Sequence, residues 1–300
     1  MTTSREGFEI YDDRFAAMIP DDAKLVQHFT GMEWAEGPVY FSEGDYLLWS
    51  DIPNDRMLRY SDADGVSVFR QPAGYTNGHY RDLEGRLVSC EHGNRRVSRT
   101  EHYGTMITLA DNYEGNSLNS PNDLVVKSDG TIWFTDPPYG ILSNREGYKA
   151  DSELAGCFVF RLEPDTGALE IVVDSMDRPN GIAFSPDESV LYVADTGEPR
   201  NMMVFDVEDG RRLTNGREFA AVSPGASDGF RCDTDGNIFT SSADGIHVYS
   251  PEAELLGKIL VPEDRNANCC FGGPEKNRLY ICADKSLYSI VLNARGAQTP

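Results

Sequence analysis

The chain alternates short apolar runs with polar turns and shows little of the 3.6-residue apolar spacing of an amphipathic helix. The clearest unit starts at Ser120, SPNDLVVKSDGTIWFTDPPYG. A polar Pro-Asn-Asp lead precedes a strand-like run, Leu124 to Val126, then a turn at Asp129-Gly130, a second run from Thr131 to Thr135 and a polar exit at Asp136. Asp-Gly between two such runs signals a hairpin, and a type I′ turn would place both central residues at positive φ. Related phrases start at Glu36, Asn77, Asn180, Asp228 and Asn268, positions that match Asn122 here, so six copies are spaced 41, 45, 58, 48 and 40 residues apart. Self-similarity at that period, with about four strands per copy rich in Val, Ile, Phe, Tyr and Trp, predicts an all-β, six-bladed β-propeller with four-stranded blades.

The ends refine this reading. KLVQHFT, Lys24 to Thr30, reads as a lone strand, and the last copy supplies only three. An N-terminal strand that completes the sixth blade would close the ring and remove its open edge. The expected boundaries are a lead-in over 1–24 with a short helix around Asp13 to Met18, one propeller domain over 25–293, and a tail over 294–300. Blade three carries an insertion, ILSNREGYKADSELAG over 141–156, longer than compact folds usually allow. Its place after a second strand predicts that it covers part of the tunnel mouth.

Composition narrows the partners. Forty per cent apolar and 10% aromatic residues suffice for a packed core, and no apolar run is long enough to span a bilayer. MTTSREGFEIYDDRF lacks a basic region followed by an apolar one, so a cytoplasmic location is expected. The net charge of −22, from 49 acidic and 27 basic residues, argues against nucleic acid or an anionic membrane as partner. It serves solubility first, and at a pocket it would also gather cations. The six cysteines include no CxxC pair, and adjacent Cys269 and Cys270 point to opposite faces of a strand, which suits buried thiols in a reducing compartment.

Geometry turns the repeat into chemistry. Residues ahead of each innermost strand converge on the tunnel: Glu36, Asn77, Asn122, Asn180, Asp228 and Asn268. The loops after second strands border the same mouth at Ser50-Asp51, Glu91-His92, Asp136-Pro137, Asp195-Thr196, Ser242-Ala243-Asp244 and Ala283-Asp284. One Asn or Asp alone usually caps a turn. Several converging oxygens are costly without a cation, and carboxylates with carboxamides form a hard set suited to Ca²⁺, Mg²⁺ or Mn²⁺ rather than structural Zn²⁺.

EGPVYF from Glu36, SPNDL from Ser120, RPNGIAFSPD from Arg178 and SDGFRCDTDGNIFTSS from Ser227 together resemble the SMP-30/gluconolactonase/LRE family. CEHGNRRVSRTE from Cys90 and WFTDPPYG from Trp133 are similar to its bacterial gluconolactonase branch. The resemblance covers about residues 33–290. It implies hydrolysis of a small-molecule sugar lactone with one divalent cation, Ca²⁺ first and Mg²⁺, Mn²⁺ or Zn²⁺ as alternatives. It further implies Glu36, Asn180 and Asp228 as metal ligands, Asn122 as a contact to metal or substrate, and Asp228 as general acid/base. Animal members carry an arginine two residues before the Asn122 position, where this chain has Ser120, which leaves the particular substrate open. His92 and His79 come from blade two; His92 is a candidate substrate contact, although a lone histidine is more often structural. Tyr139 could line the pocket or pack under the insertion.

Two motifs mislead. Gly225-Ala226-Ser227-Asp228-Gly229 matches a nucleophile elbow, but a hairpin rather than a helix follows, so Ser227 is discounted. Asp233-Thr234-Asp235-Gly236 resembles the start of an EF-hand loop, but no helix flanks it. Two other classes remain: a metal-dependent esterase or organophosphate hydrolase on the same site, and a non-enzymatic binding propeller, which would not need the oxygen set.

Overall fold

Six antiparallel sheets radiate from one axis in a computed structural model that describes residues 3–298. The innermost strands are Ala35–Phe41, Thr76–Arg81, Leu124–Val126, Pro179–Phe184, Phe230–Cys232 and Asn266–Gly272. They neighbour one another in chain order, and the sixth returns to the first. The second strands are Tyr46–Asp51, Leu87–Glu91, Ile132–Asp136, Val190–Asp195, Ile238–Ser242 and Arg278–Ala283. This is the six-bladed propeller expected from the repeat.

The ring closes as the pattern predicts. Val26–Thr30 pairs with Ser286–Val291, Thr30 opposite Ser286, and supplies the fourth strand of blade six. The residues before it do more than lead in. Thr3–Arg5 and Phe8–Ile10 form a hairpin whose second strand pairs with Leu255–Leu260, Phe8 opposite Ile259, so blade five has six strands. The helix Asp13–Met18 lies where it was expected, capped by the Asp12 side chain, which accepts the Arg14 amide at 2.8 Å. It buries Phe15 over Gly257, where a Cβ would overlap the ring. Residues 1–2 and 299–300 of the expected lead-in and tail lie outside the described residues.

The turns differ from the type I′ expectation. Gly130 has φ +87° but Asp129 is not left-handed, and the Gly130 amide donates to Lys127 O at 2.8 Å. Each such hairpin is therefore a type I turn followed by a left-handed glycine. Gly85 and Gly236 repeat the arrangement, donating to Asp82 O and Asp233 O.

Between blades the core is aromatic: Trp133 meets Phe184 edge-on at 5.3 Å, and Phe239 meets Phe271 at 5.1 Å. Cys269 packs toward blade five and Cys270 toward blade one, as strand alternation requires. All six cysteines are unbonded, and only Cys157 is not fully buried. Among the described residues no helix is long and apolar enough to cross a membrane.

Candidate catalytic and metal site

In four of the six blades, those of Glu36, Asn77, Asn180 and Asn268, a local defect in the sheet aims the axial side chain. The pairing of inner with second strand slips between Glu36 and Val39, Thr76 and His79, Pro179 and Ile182, and Asn266 and Asn268. Such bulges re-aim a side chain while the strand continues. Four axial residues, Glu36, Asn77, Asn180 and Asp228, are followed by glycine. A Cβ on Gly37 (φ +56°) would overlap the Asn77 carbonyl, and one on Gly181 the Asp228 carbonyl. Bare backbone lets neighbouring inner strands close around the axis.

The carboxylates that meet there are electrostatically unspent. Glu36 is 4% exposed and accepts from the Gly37 amide at 2.9 Å and from Asn268 Nδ2 at 3.2 Å. Burial pushes its carboxyl up to about 8, and the nearby Asp123 and Glu146 charges add to the shift. Asp228, partly open to the mouth, is raised well above the usual carboxylate range by burial and then by the charges of Glu36, Asp123 and Glu146, against a hydrogen bond from Asn180. Asn180 Nδ2 also donates to Thr196 Oγ1 at 3.2 Å, and Asn122, 4% exposed, completes the group. Among the described residues no Lys or Arg pairs with Glu36 or Asp228.

These residues fit a hard divalent cation: two facing carboxylates lacking a counter-charge, with carboxamides beside them. Among the described residues no three His, Cys, Asp or Glu side chains form a cage, so any ion here would depend on the carboxamide oxygens of Asn122 and Asn180.

The outer carboxylates are different, which corrects the expectation that they join the same oxygen set. Asp51 accepts the Glu33 and Trp34 amides at 2.9 and 3.3 Å and an ion pair from Arg56 at 2.8 Å. Asp195 accepts the amides of Asp177, Arg178 and Gly197 at 2.8, 3.0 and 2.9 Å. Asp136 accepts the Asn119 amide at 2.7 Å, although burial still pushes it up to about 7. Each clasps the segment just ahead of an axial residue: Glu36, Asn180 and Asn122 respectively. Glu91 pairs with Arg96 at 2.9 Å, and Asp244 with Lys258 at 2.9 Å.

The remaining candidates separate by depth. His79 is enclosed between Ser50 Oγ and Ser89 Oγ at 2.8 and 2.9 Å, and burial pushes it down to about 3. His92 is 1% exposed, its Nε2 3.3 Å from Asn77 Nδ2, and burial pushes it down to about 4, so it is a neutral ring at pH 7. The half-buried Tyr139 hydroxyl lies 2.5 Å from Thr196 Oγ1, which ties it to Asn180 through one intermediary. Ser120 is a stitch: its hydroxyl donates to Pro137 O at 2.6 Å and accepts the Gly140 amide at 2.9 Å. Ser227 is spent on Thr240 Oγ1 at 2.7 Å, and Asp233 on the amides of Asp235 and Asn237 in its own turn.

The insertion spans the mouth. Arg145 Nη2 reaches Glu33 O of blade one at 3.5 Å, Tyr148 stands edge-on to Tyr75 of blade two at 5.4 Å, and Gly147 lies on Gly140 of blade three. Between these anchors sits Glu146, largely buried and paired with Arg145 at 3.0 Å. Reasoning from sequence placed the loop but not Glu146, since nothing in SNREGYK marks which residue turns inward. It also passed over Asp123, although glycine follows four of the other axial residues and was a usable signal.

Comparison with known proteins follows from this geometry. The model of the SMP-30/Gluconolactonase/LRE-like region matches residues 34–285. The chain belongs to that family. Among its relatives, a gluconolactonase of Zymomonas mobilis is 34% identical over 306 residues, covering 93% of this chain and 84% of that one. A 6-deoxy-6-sulfogluconolactonase of Pseudomonas putida is 29% identical over 258 residues, 83% of each chain. The solved gluconolactonase of Xanthomonas campestris superimposes with a TM-score of 0.89 at 40% identity, covering 94% of this chain and 93% of that one. The family match spans all six axial positions of this SMP-30/gluconolactonase-like chain.

Proposed function

We propose that the protein is a divalent-cation-dependent lactonase that opens a sugar lactone with water. The carrying observation is the meeting of Glu36 and Asp228, both raised and without counter-charge, beside Asn122 and Asn180 at a covered tunnel mouth. Relatives named for gluconolactone and for a sulfonated analogue support the reaction class. Glu36, Asn180 and Asp228 would hold the cation, with Asn122 on the cation or the substrate. When bound, a divalent cation polarises an ester carbonyl and stabilises the oxyanion formed on attack.

The chain's own groups do the proton work. Asp228 takes the proton of the attacking water as its oxygen bonds to the carbonyl carbon. As the ring carbon–oxygen bond breaks, Asp228 returns that proton to the departing ring oxygen, leaving a hydroxy acid. Asn180 orients Asp228 through their hydrogen bond, and Thr196 fixes Asn180 and Tyr139 together. The insertion would exclude bulk water from above, and Tyr139 and the neutral His92 would meet sugar hydroxyls. The test is hydrolysis of a panel of sugar lactones by metal-stripped protein, before and after restoring Ca²⁺, Mg²⁺ or Mn²⁺. Turnover that needs a restored cation is expected, and turnover indifferent to chelator overturns the metal dependence. Hydrolysis of simple esters or organophosphates without lactone activity would favour the broader hydrolase instead.

A further inference from the structure

Glycine follows the axial residue in four blades; blade six has Cys269 there, and blade three has a charged residue. That residue is Asp123, whose carboxylate lies against Gly78, where a Cβ would come within 2.7 Å of Oδ1. Oδ1 accepts the Leu124 amide at 2.8 Å. Across the tunnel, Arg231 places Nη1 3.3 Å from Oδ2 and Nη2 3.5 Å from Oδ1. Asp123 and Arg231 are 2% and 3% exposed. Arg231 stands three residues beyond Asp228, on the inner strand Phe230–Cys232 that follows it, donates to Phe230 O at 2.7 Å and lies 6.0 Å over the Tyr80 ring.

A buried ion pair is a poor way to gain stability, because apolar residues of similar volume often do as well or better. Apolar side chains would have filled this tunnel. What they would not supply is charge. Asp123 directly follows Asn122, Arg231 lies three residues beyond Asp228, and Arg231 is the only buried cation that pairs with Asp123 among the described residues.

We propose that the Asp123–Arg231 pair is a charge-setting brace beneath the cation site: Arg231 cancels Asp123, so that the cation answers to Glu36 and Asp228, and the pair ties the Asn122 loop to the Asp228 loop across the tunnel. This rests on the cation reading above. Neither residue touches substrate; both are positioning residues that act through the ligands.

A charge role predicts opposite signs, which a merely structural role does not. Calcium titration calorimetry on metal-stripped protein compares wild type with Asp123→Asn, Arg231→Met and the double variant. Asp123→Asn leaves an uncancelled positive charge and should weaken Ca²⁺ by roughly tenfold to a few hundredfold, the range for a unit charge about 10 Å from a divalent ion as the effective dielectric falls from about 50 to about 20. Arg231→Met leaves a negative charge and should tighten Ca²⁺ by a similar factor, and the double variant should return to within about threefold of wild type. Arg231→Lys, which keeps the charge, should also stay near wild type and carries the test if Arg231→Met fails to fold. In that case the contrast of Asp123→Asn with the double variant supplies the sign. Melting in chelator verifies folding. Single variants that shift affinity in the same direction, or not at all while melting earlier, overturn the brace and leave the cation site standing. A wild type that binds none of Ca²⁺, Mg²⁺ or Mn²⁺ fails before any variant is made and removes the cation reading, and the brace with it.

Discussion

Two sets of carboxylates lie at the same end of the tunnel, on the same repeat, and behave differently. Glu36 and Asp228 start innermost strands; Asp51, Asp136 and Asp195 end second strands. Asp51 and Asp195 are saturated by backbone amides, and in Asp51 by Arg56 as well. Glu36 has one amide and one carboxamide, and Asp228 faces other negative charges. The difference lies in which donors the backbone brings within reach, since residue type and burial are nearly shared. Saturated carboxylates stitch the loops; unsaturated ones keep oxygens free for a ligand.

That contrast can be broken by experiment. The largest effect should follow Asp228→Asn, which keeps an oxygen at the axis but removes the proton acceptor. Loss of a general acid–base group typically costs about 10²–10⁴-fold, so kcat should fall on that scale at saturating cation, with occupancy checked by calorimetry. Near-normal turnover would place Asp228 with the stitching set. Next, Asp51→Asn should lower stability by about 3 kcal/mol, as expected when a buried pair loses one partner, read by urea denaturation in chelator. If it instead abolished cation binding without loss of stability, Asp51 would belong to the axial set.

Glu36→Gln should reduce the rise in Tm that a cation gives. In wild type a ligand at a hundred times its Kd contributes about 2.7 kcal/mol, and the variant should retain only a fraction of that at the same concentration. An increment equal to wild type would remove Glu36 from the ligand set. The smallest effect should come from replacing 141–156 with a short turn. KM for active lactones should rise several-fold with Tm nearly unchanged, and identical kinetics would remove the covering role.

What the sequence made legible was periodic. The six copies, the axial positions ahead of each inner strand and the strand needed by blade six all follow from spacing. The outer carboxylates misled because Asp51 and Asp228 look alike in one dimension, and only the amides of Glu33 and Trp34 distinguish them. Asp123 and Arg231 stand 108 residues apart, and no local pattern links them. The hairpin of residues 3–10 has strands of three residues each, too short to show alternation, and its partner is Leu255–Leu260.

The closing strand has a consequence for how the molecule is made. Val26–Thr30 leaves the ribosome ahead of all six inner strands and must wait for Ser286–Val291, its partner in the last blade. Each middle blade is contiguous and can assemble as it emerges, but Glu36 and Asn268 meet only once the sixth blade is out. A nascent fragment ending at blade four would have most of the propeller's sheets and none of its completed mouth. Until then Val26–Thr30 is itself an unpaired strand, open to a neighbouring chain. The ring therefore closes only once blade six has emerged, and a chain without blade six has no completed site with which to act.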